Sequence, residues 1–192
     1  GLVIAFGGLF GFKQWQTWQE SNRQSAATEY EVLDQLLTAG QLDAAMSNFQ
    51  SLQDDHAESP YTSMAALKMA RARVEAKQPD LALRLYEFVV ENGYPKALSV
   101  VARARLARLL LDQGQPEQAL QTLEAEQDIS GFEARYAEVR GDILHAQGRR
   151  DEAVAAYLEA LSVREAGIGD RNKVVMKLQS LGAEIPEEVA ES

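Results

Sequence analysis

The segment VRGDILHAQGRRDEAVAAYLEAL, residues 139–161, contains the pattern that decides the fold of this chain. Gly141, Leu144, Gly148, Ala153 and Tyr157 follow one another at spacings typical of two helices joined by a tight turn. An alanine in the second helix lets a neighbouring helix approach, and the large side chain at i+4 fills the space beside it on the same face. Glycine in the turn tolerates the left-handed cap of a preceding helix. The segment therefore predicts a helical hairpin.

The same pattern occurs three more times upstream, which makes it a repeat. The small residue of the second helix recurs at spacings of 37, 37 and 34 residues, at Ala45, Ala82, Ala119 and Ala153. The large residue one turn later falls at Phe49, Tyr86, Leu123 and Tyr157. The turn residue falls at Gly40, Lys77, Gly114 and Gly148. Pro79 and Pro116 follow two of these turns, where a proline at the start of a helix costs no hydrogen bond.

The last unit resembles the tetratricopeptide pattern G-x2-L/Y-x3-G-x4-A-x3-F/Y-x2-A, and the three earlier units depart from it at one or two positions. We predict an all-α, tetratricopeptide-like α-solenoid of about four helix pairs plus a C-terminal capping helix. The predicted helices are 19–38, 41–54, 60–77, 79–92, 96–113, 116–127, 131–147, 150–164 and 171–181. The last helix, with Val174, Val175, Leu178 and Leu181, is expected to cover the apolar face of the fourth unit. Asp170, in the break Gly167–Asp170, is its expected N-cap.

Residues 1–12, GLVIAFGGLFGF, contain no polar side chain, and Lys13, Trp15 and Trp18 follow them. Indole rings and a lysine next to an apolar run are typical of a membrane–water interface. Twelve helical residues span about 18 Å, less than a bilayer core, so we interpret residues 1–18 as the C-terminal part of a transmembrane anchor. A signal-peptide region and a buried core helix are the alternatives. The expected domains are 1–18, the repeat domain 19–182, and an acidic tail 183–192.

Composition excludes several classes of function. The 192 residues contain no cysteine, which excludes disulfides, a thiol nucleophile and cysteine-ligated zinc. The 19 lysines and arginines and 29 aspartates and glutamates give a net charge of −10, which disfavours nucleic acid as a partner.

Motifs for chemistry are missing as well. The two histidines, His56 and His145, are about 90 residues apart, and we expect each to be solvated or to end a helix. Asp54 and Asp55 beside His56 are expected to be the polar end of a helix rather than metal ligands. No phosphate-binding loop or nucleophile elbow occurs in the sequence. We therefore predict no enzyme activity, no metal, no cofactor and no small-molecule substrate.

One distribution of charge favours a binding role. The first helices of units two and three are basic in this acidic chain, and Lys68 and Arg71 occupy repeat positions equivalent to Arg105 and Arg108. The first helix of each pair lines the concave groove of a tetratricopeptide array. These four residues are therefore candidates for binding a peptide carboxylate or an acidic segment. The alternative is that they pair with acidic residues of their own or a neighbouring helix, such as Glu75.

The order of these features resembles one family, the ancillary subunit of the bacterial Sec translocon, of the YfgM type. The resemblance rests on GLVIAFGGLFGF with KQWQTWQ, on residues 106–123 and 139–161, and on the closing VVMKLQSLGA at 174–183. It implies a single-pass inner-membrane protein with a cytoplasmic N-terminus and a periplasmic repeat domain. It further implies binding to the SecYEG channel and to a membrane-anchored periplasmic chaperone of the prolyl-isomerase type. The expected function is a non-catalytic adaptor that assists hand-over of translocated proteins. The alternative is a generic soluble periplasmic tetratricopeptide scaffold for envelope protein assembly.

Overall fold

The computed structural model describes residues 2–163 and 171–186, with side chains from Gln14 onward apart from those of Trp15 and Trp18. These ranges contain nine helices and no strand. The helices are α1 Leu2–Thr38, α2 Leu42–Asp55, α3 Pro60–Glu75, α4 Pro79–Asn92, α5 Lys96–Asp112, α6 Pro116–Glu124, α7 Glu133–Ala146, α8 Arg150–Ser162 and α9 Arg171–Ser180. The predicted all-α fold is confirmed.

Helix α1 differs from the prediction in having no boundary at residue 19, because it begins at Leu2 and includes the segment interpreted as the end of an anchor helix. The apolar N-terminal segment and the first repeat helix therefore form one continuous helix. A smaller difference is the α6–α7 connection, which is longer than predicted because α6 ends at Glu124 and α7 begins at Glu133. In the part of the chain that the structure describes, no helix combines the length and apolar character needed to cross a membrane. The expected break at Gly167–Asp170 lies outside the described residues, as do residues 187–192 of the tail.

The chain divides into two compact units, Gly1–Pro95 and Lys96–Ser192. In the first unit α1 packs on α2 and α3, and α3 also packs on α2 and α4. The alanines and rings of the first two repeats are buried in this unit: Ala45, Phe49, Ala82 and Tyr86. The predicted small–large pairs therefore form its core.

In the second unit α5 pairs with α6, α7 pairs with α8, and α9 packs on α8. Ala119, Leu123, Ala153 and Tyr157 are buried here, as the repeat predicts. Helices α7 and α8 approach closely at Gly141, where an added Cβ would lie 2.5 Å from Cε1 of Tyr157. The glycine of the sequence pattern is thus required by the ring opposite it.

Helix α9 covers the end of this core, as expected of a capping helix. Val174 and Leu178 are fully buried against the residues of α8, among them Leu161. Val175 and Leu181 pack against the same core and remain partly accessible. Covering the last apolar face keeps it from contact with water, which a terminal repeat requires.

The repeat turns share one backbone conformation. Gly148 has φ +75°, its N–H donates to the carbonyl of His145, and Arg149 N–H donates to the carbonyl of Leu144. This left-handed cap satisfies carbonyls that the end of a helix leaves open. Lys77, which departs from glycine in the repeat, adopts the same conformation with φ +57°. The turn therefore keeps its geometry even where the residue that suits it best is missing.

Candidate partner-binding site

Lys68 lies on α3 and joins it to α1. Its ammonium donates a hydrogen bond to a carboxylate oxygen of Asp34 and lies 5.1 Å from the ring centroid of Tyr30. The bond to Asp34 raises the pKa of Lys68 above its ordinary value. Lys68 therefore has a partner within the first unit, and its side chain is 39% exposed.

Arg71 lies one turn further along α3 and is more accessible, with 76% of its side chain exposed. Its Nε donates to Oε1 of Glu75 over 2.8 Å, an i,i+4 pair on the same helix, and this bond raises the pKa of Arg71. An exposed pair of this kind contributes little to stability and opens easily. Arg71 is thus available to an external carboxylate.

Arg105 and Arg108 lie on α5 of the second unit and differ from each other. Arg105 is exposed and makes no ion pair with any residue that the structure describes. Arg108 Nη2 lies 2.9 Å from Oε1 of Glu138 and 3.8 Å from Oδ2 of Asp142, both on α7. Of the four predicted groove residues, Arg105 is therefore the one without an ion pair to a described residue. The binding role of the four stays a prediction.

Glu138 is the centre of a partly buried charge network that sequence reasoning missed. Its side chain is 7% exposed, and its carboxylate contacts Arg108, Arg135 at 3.0 Å and Lys177 of α9 at 3.0 Å. Burial alone raises the pKa of Glu138, but the three cations outweigh it and hold the pKa below the ordinary value. The carboxylate therefore stays charged and ties α5 and α9 to α7.

Asp142 extends this network by one turn. Its Oδ1 accepts a hydrogen bond from the Tyr157 hydroxyl at 2.7 Å and lies 2.6 Å from Lys177 Nζ. Burial of the ring and the bond to Asp142 raise the pKa of Tyr157. A signal for this network existed in the sequence, since Asp142 occupies the repeat position equivalent to Arg108. Opposite charges at equivalent positions of adjacent repeats favour pairing between their first helices.

Two of the other three basic residues of these helices, Arg73 and Arg103, point inward, whereas Lys96 is exposed. Arg73 is 6% exposed, and its Nη1 donates to Oε1 of Gln78 over 2.7 Å. Arg103 Nη1 donates to the carbonyl of Thr122 over 3.2 Å. Both guanidinium groups hold neighbouring helices or turns within their own unit. Only some of the basic side chains of α3 and α5 are therefore available at the surface.

His56 ends a helix, which is one of the two placements expected for it, and it is buried there rather than solvated. His56 is the C-cap of α2 and is 7% exposed, with Nε2 3.6 Å from Oε1 of Glu29. The Thr62 hydroxyl donates to the His56 carbonyl over 2.6 Å and fixes the turn before α3. Within the described ranges, no three histidine or acidic side chains converge as metal ligands would.

Three further predicted site residues belong to the expected membrane interface. Lys13, Trp15 and Trp18 lie outside the residues whose side chains the structure describes. Their backbone belongs to α1. Their proposed contact with lipid therefore rests on the sequence alone.

Comparison with protein families supports the fold derived from the repeat. The model of a tetratricopeptide repeat-like domain matches residues 1–183. Among solved structures, "MamA 41-end from Desulfovibrio magneticus RS-1" superposes with a TM-score of 0.55 at 16% identity, over 82% of this chain and 94% of that one. At this identity the likeness concerns the fold alone.

The curated relatives of this chain carry the same name, and they match it over most of their length. The ancillary SecYEG translocon subunit of Aggregatibacter actinomycetemcomitans is 30% identical over 94% of this chain and 86% of that protein. The protein of the same name from Neisseria gonorrhoeae is 28% identical over 94% and 86%. The Escherichia coli protein, also of this name, is 24% identical over 82% and 75%. The family model, which matches residues 1–183, covers the N-terminal segment, the repeats and the capping helix together.

Proposed function

This chain belongs to the tetratricopeptide repeat-like family of ancillary SecYEG translocon subunits, and from this premise we propose that it is an adaptor of the Sec translocon. It is anchored in the bacterial inner membrane by residues 1–18, and its repeat domain lies in the periplasm. There it binds the SecYEG channel and a membrane-anchored periplasmic chaperone of the prolyl-isomerase type. It assists the hand-over of translocated proteins to that chaperone and catalyses no reaction itself.

One observation carries this proposal: relatives named for the SecYEG translocon match this chain over most of both lengths. We propose an exposed cationic surface of the repeat helices for the contact. Arg105 is exposed on α5, a first helix of the repeat, and no described residue neutralises it. A guanidinium in this state forms strong charge-assisted hydrogen bonds with a partner carboxylate. Arg71 offers a second such group in the first unit, because its bond to Glu75 is exposed.

The anchor explains how weak contacts suffice. Holding two proteins in one membrane makes their association effectively intramolecular, with an effective concentration on the millimolar scale for short linkers. In this arrangement Lys13, Trp15 and Trp18 lie at the membrane–water interface, where an ammonium and two indole rings are favourable.

Photo-cross-linking in inner-membrane vesicles tests the partners. A photoreactive phenylalanine analogue at Val101, partly exposed one turn from Arg105 on α5, is compared with the same analogue at Glu117, an exposed position on the second helix α6. We expect adducts with a SecYEG subunit or with the chaperone from position 101, and much weaker adducts from position 117. Equal adducts at both positions, or none with either partner, would contradict the proposed groove contact.

The anchor requires a separate measurement on the full-length protein. Carbonate extraction leaves integral membrane proteins in the pellet, and we expect this protein there. Release into the supernatant would instead support the soluble periplasmic scaffold. The charge-reversing variant Arg105→Glu, with the analogue kept at Val101, should remain in the pellet and lose its adducts, which separates anchoring from partner binding.

A further inference from the structure

A second surface of the first unit has the form of a docking site. It lies on the second helices of the repeats, whereas the predicted groove is lined by the first helices. Helices α2 and α4, the second helices of repeats one and two, both pack on α3 and leave a trough of about 310 Å³ between them. Its lining is apolar apart from Gln53 and two arginines: Met46, Phe49, Gln53, Arg73, Leu81, Arg84, Leu85 and Phe88. We call this lining the α2/α4 trough.

The apolar side chains of α4 in the trough share one helix face, on which Leu81 is exposed, Phe88 is partly exposed and Leu85 lies buried between them. Leu81, Leu85 and Phe88 follow one another at i, i+4 and i+7 on α4, the spacing of one helix face. Phe49 of α2 meets Phe88 edge to face, with ring centroids 5.8 Å apart. Leu81 is 41% exposed, one of the few large apolar side chains in the described residues with so much accessible surface. A volume this small holds one or two apolar side chains of a partner and is at the lower limit for a cofactor.

The charge at the trough identifies the chemistry of its occupant. Arg84 is exposed and forms no ion pair with any residue that the structure describes, although the exposed acids Asp80 and Glu87 lie on the same helix. Arg73 lies buried beneath the trough, with the exposed carboxylate of Asp43 3.8 Å from its Nη2. One exposed guanidinium, unpaired within the described part of the chain, thus borders this apolar surface, and a second, buried one lies beneath it, in a chain whose net charge is −10.

We infer that the α2/α4 trough binds an amphipathic helix of a protein partner, with apolar anchors one turn apart and a carboxylate beside them. The apolar anchors fill the space between Leu81 and Phe88, and the carboxylate pairs with Arg84. Helices dock in grooves through anchors at this spacing. The inference is independent of the proposed function, because it concerns second helices and needs neither Arg105 nor the anchor.

The methionines of the chain provide a direct assay. Of its four methionines, Met46 lies in the trough and Met176 lies exposed on α9 of the other unit. The full chain, labelled with ¹³C at the methionine methyl groups, is titrated with a synthetic helical peptide that has leucines at i, i+4 and i+7 and glutamates between them. We expect the Met46 methyl resonance to shift and that of Met176 to stay in place. A peptide with lysine at each glutamate position should bind at least tenfold more weakly.

Substitutions in the trough, sedimentation analysis and a tail peptide test whether the helical peptide is the occupant of the trough. Leu81→Glu and Arg84→Glu should each weaken peptide binding at least tenfold, whereas Arg105→Glu, outside the trough, should leave it unchanged. An unmoved Met46 resonance at millimolar peptide, or equal binding of the lysine peptide, would overturn the inference. Sedimentation analysis addresses a second copy as occupant: a dimer that Leu81→Glu converts to monomer would also overturn it. Tighter binding of a peptide of residues 184–192 than of the helical peptide would assign the trough to the acidic tail instead.

Discussion

Replacing Gly141 by alanine tests whether the contact between α7 and α8 sets the geometry of the last repeat. The new Cβ would lie 2.5 Å from Cε1 and 2.6 Å from Cδ1 of Tyr157, closer than carbon atoms approach one another in folded proteins. The ring cannot easily retreat, because it is 2% exposed and its hydroxyl donates to Asp142 over 2.7 Å. The helices must therefore move apart, or the hydrogen bond must break.

Two opposing terms determine the size of the effect. Alanine gains about 1 kcal/mol over glycine inside a helix. Overpacking a well-filled core costs about 1–3 kcal/mol, and contacts as short as those of Gly141 with Tyr157 favour the upper part of that range. We therefore expect Gly141→Ala to lower the free energy of unfolding by about 2 kcal/mol.

A double-mutant cycle with Tyr157→Leu separates the ring from other causes. The double variant recreates the combination that the preceding repeat has at equivalent positions, Ala107 and Leu123. In the Tyr157→Leu background the alanine should be neutral or stabilising, which gives a coupling energy of about 2–3 kcal/mol. Denaturant unfolding followed by circular dichroism gives the free energies, and hydrogen exchange of α7 and α8 peptides locates the change. A loss of equal size in both backgrounds, or no loss in either, would refute the steric explanation.

Three further predictions concern charge, turn and cap. Glu138→Gln should destabilise the protein by about 1–3 kcal/mol at pH 7. Because the pKa of Glu138 is lowered on folding, its contribution is present above the unfolded value near 4.3 and is lost as the pH falls through the folded value. Unfolding curves of variant and wild type should therefore converge toward pH 3, and a constant difference would contradict this reasoning. Lys77→Gly should stabilise the protein by about 0.5–1 kcal/mol, because relieving the strain of a left-handed lysine outweighs the entropy that glycine loses on folding. Gly114→Ala at the equivalent turn should destabilise the protein for the same reason. If the two variants shifted the thermal unfolding temperature in the same direction, this reasoning would be wrong. Thr62→Val removes the bond to the His56 carbonyl and should cost about 1–2 kcal/mol, with faster hydrogen exchange in the α2–α3 turn; unchanged exchange there would show that the hydroxyl does not fix it.

The repeat pattern was sufficient to predict the helices and much of the core. Ala82, Ala119 and Ala153 are fully buried, as their spacing and their large neighbours at i+4 indicate. This succeeds because helix periodicity is local, so the side chains that share a face are known once the helix is known. The turns follow for the same reason, since glycine marks the left-handed cap at Gly114 and Gly148.

The candidate site was less predictable, because pairing between charges depends on which helices become neighbours. Lys68 and Arg108 look alike in the sequence, yet Lys68 bonds Asp34 on α1, whereas Arg108 joins a network around Glu138. Arg105, one turn from Arg108, pairs with no described residue. Each difference arises from residues far away along the chain, which no local pattern specifies.

The sequence by itself determined the fold class, the repeat register and the capping helix of this protein, since these depend on spacings within single hairpins. Only the tertiary structure decided that His56 is buried, that Glu138 is buried among three cations, and that an apolar trough with Arg84 at its edge lies between α2 and α4. The physical reason is that burial and electrostatics are set by the distances between helices. Those distances come from the packing of side chains far apart in the chain.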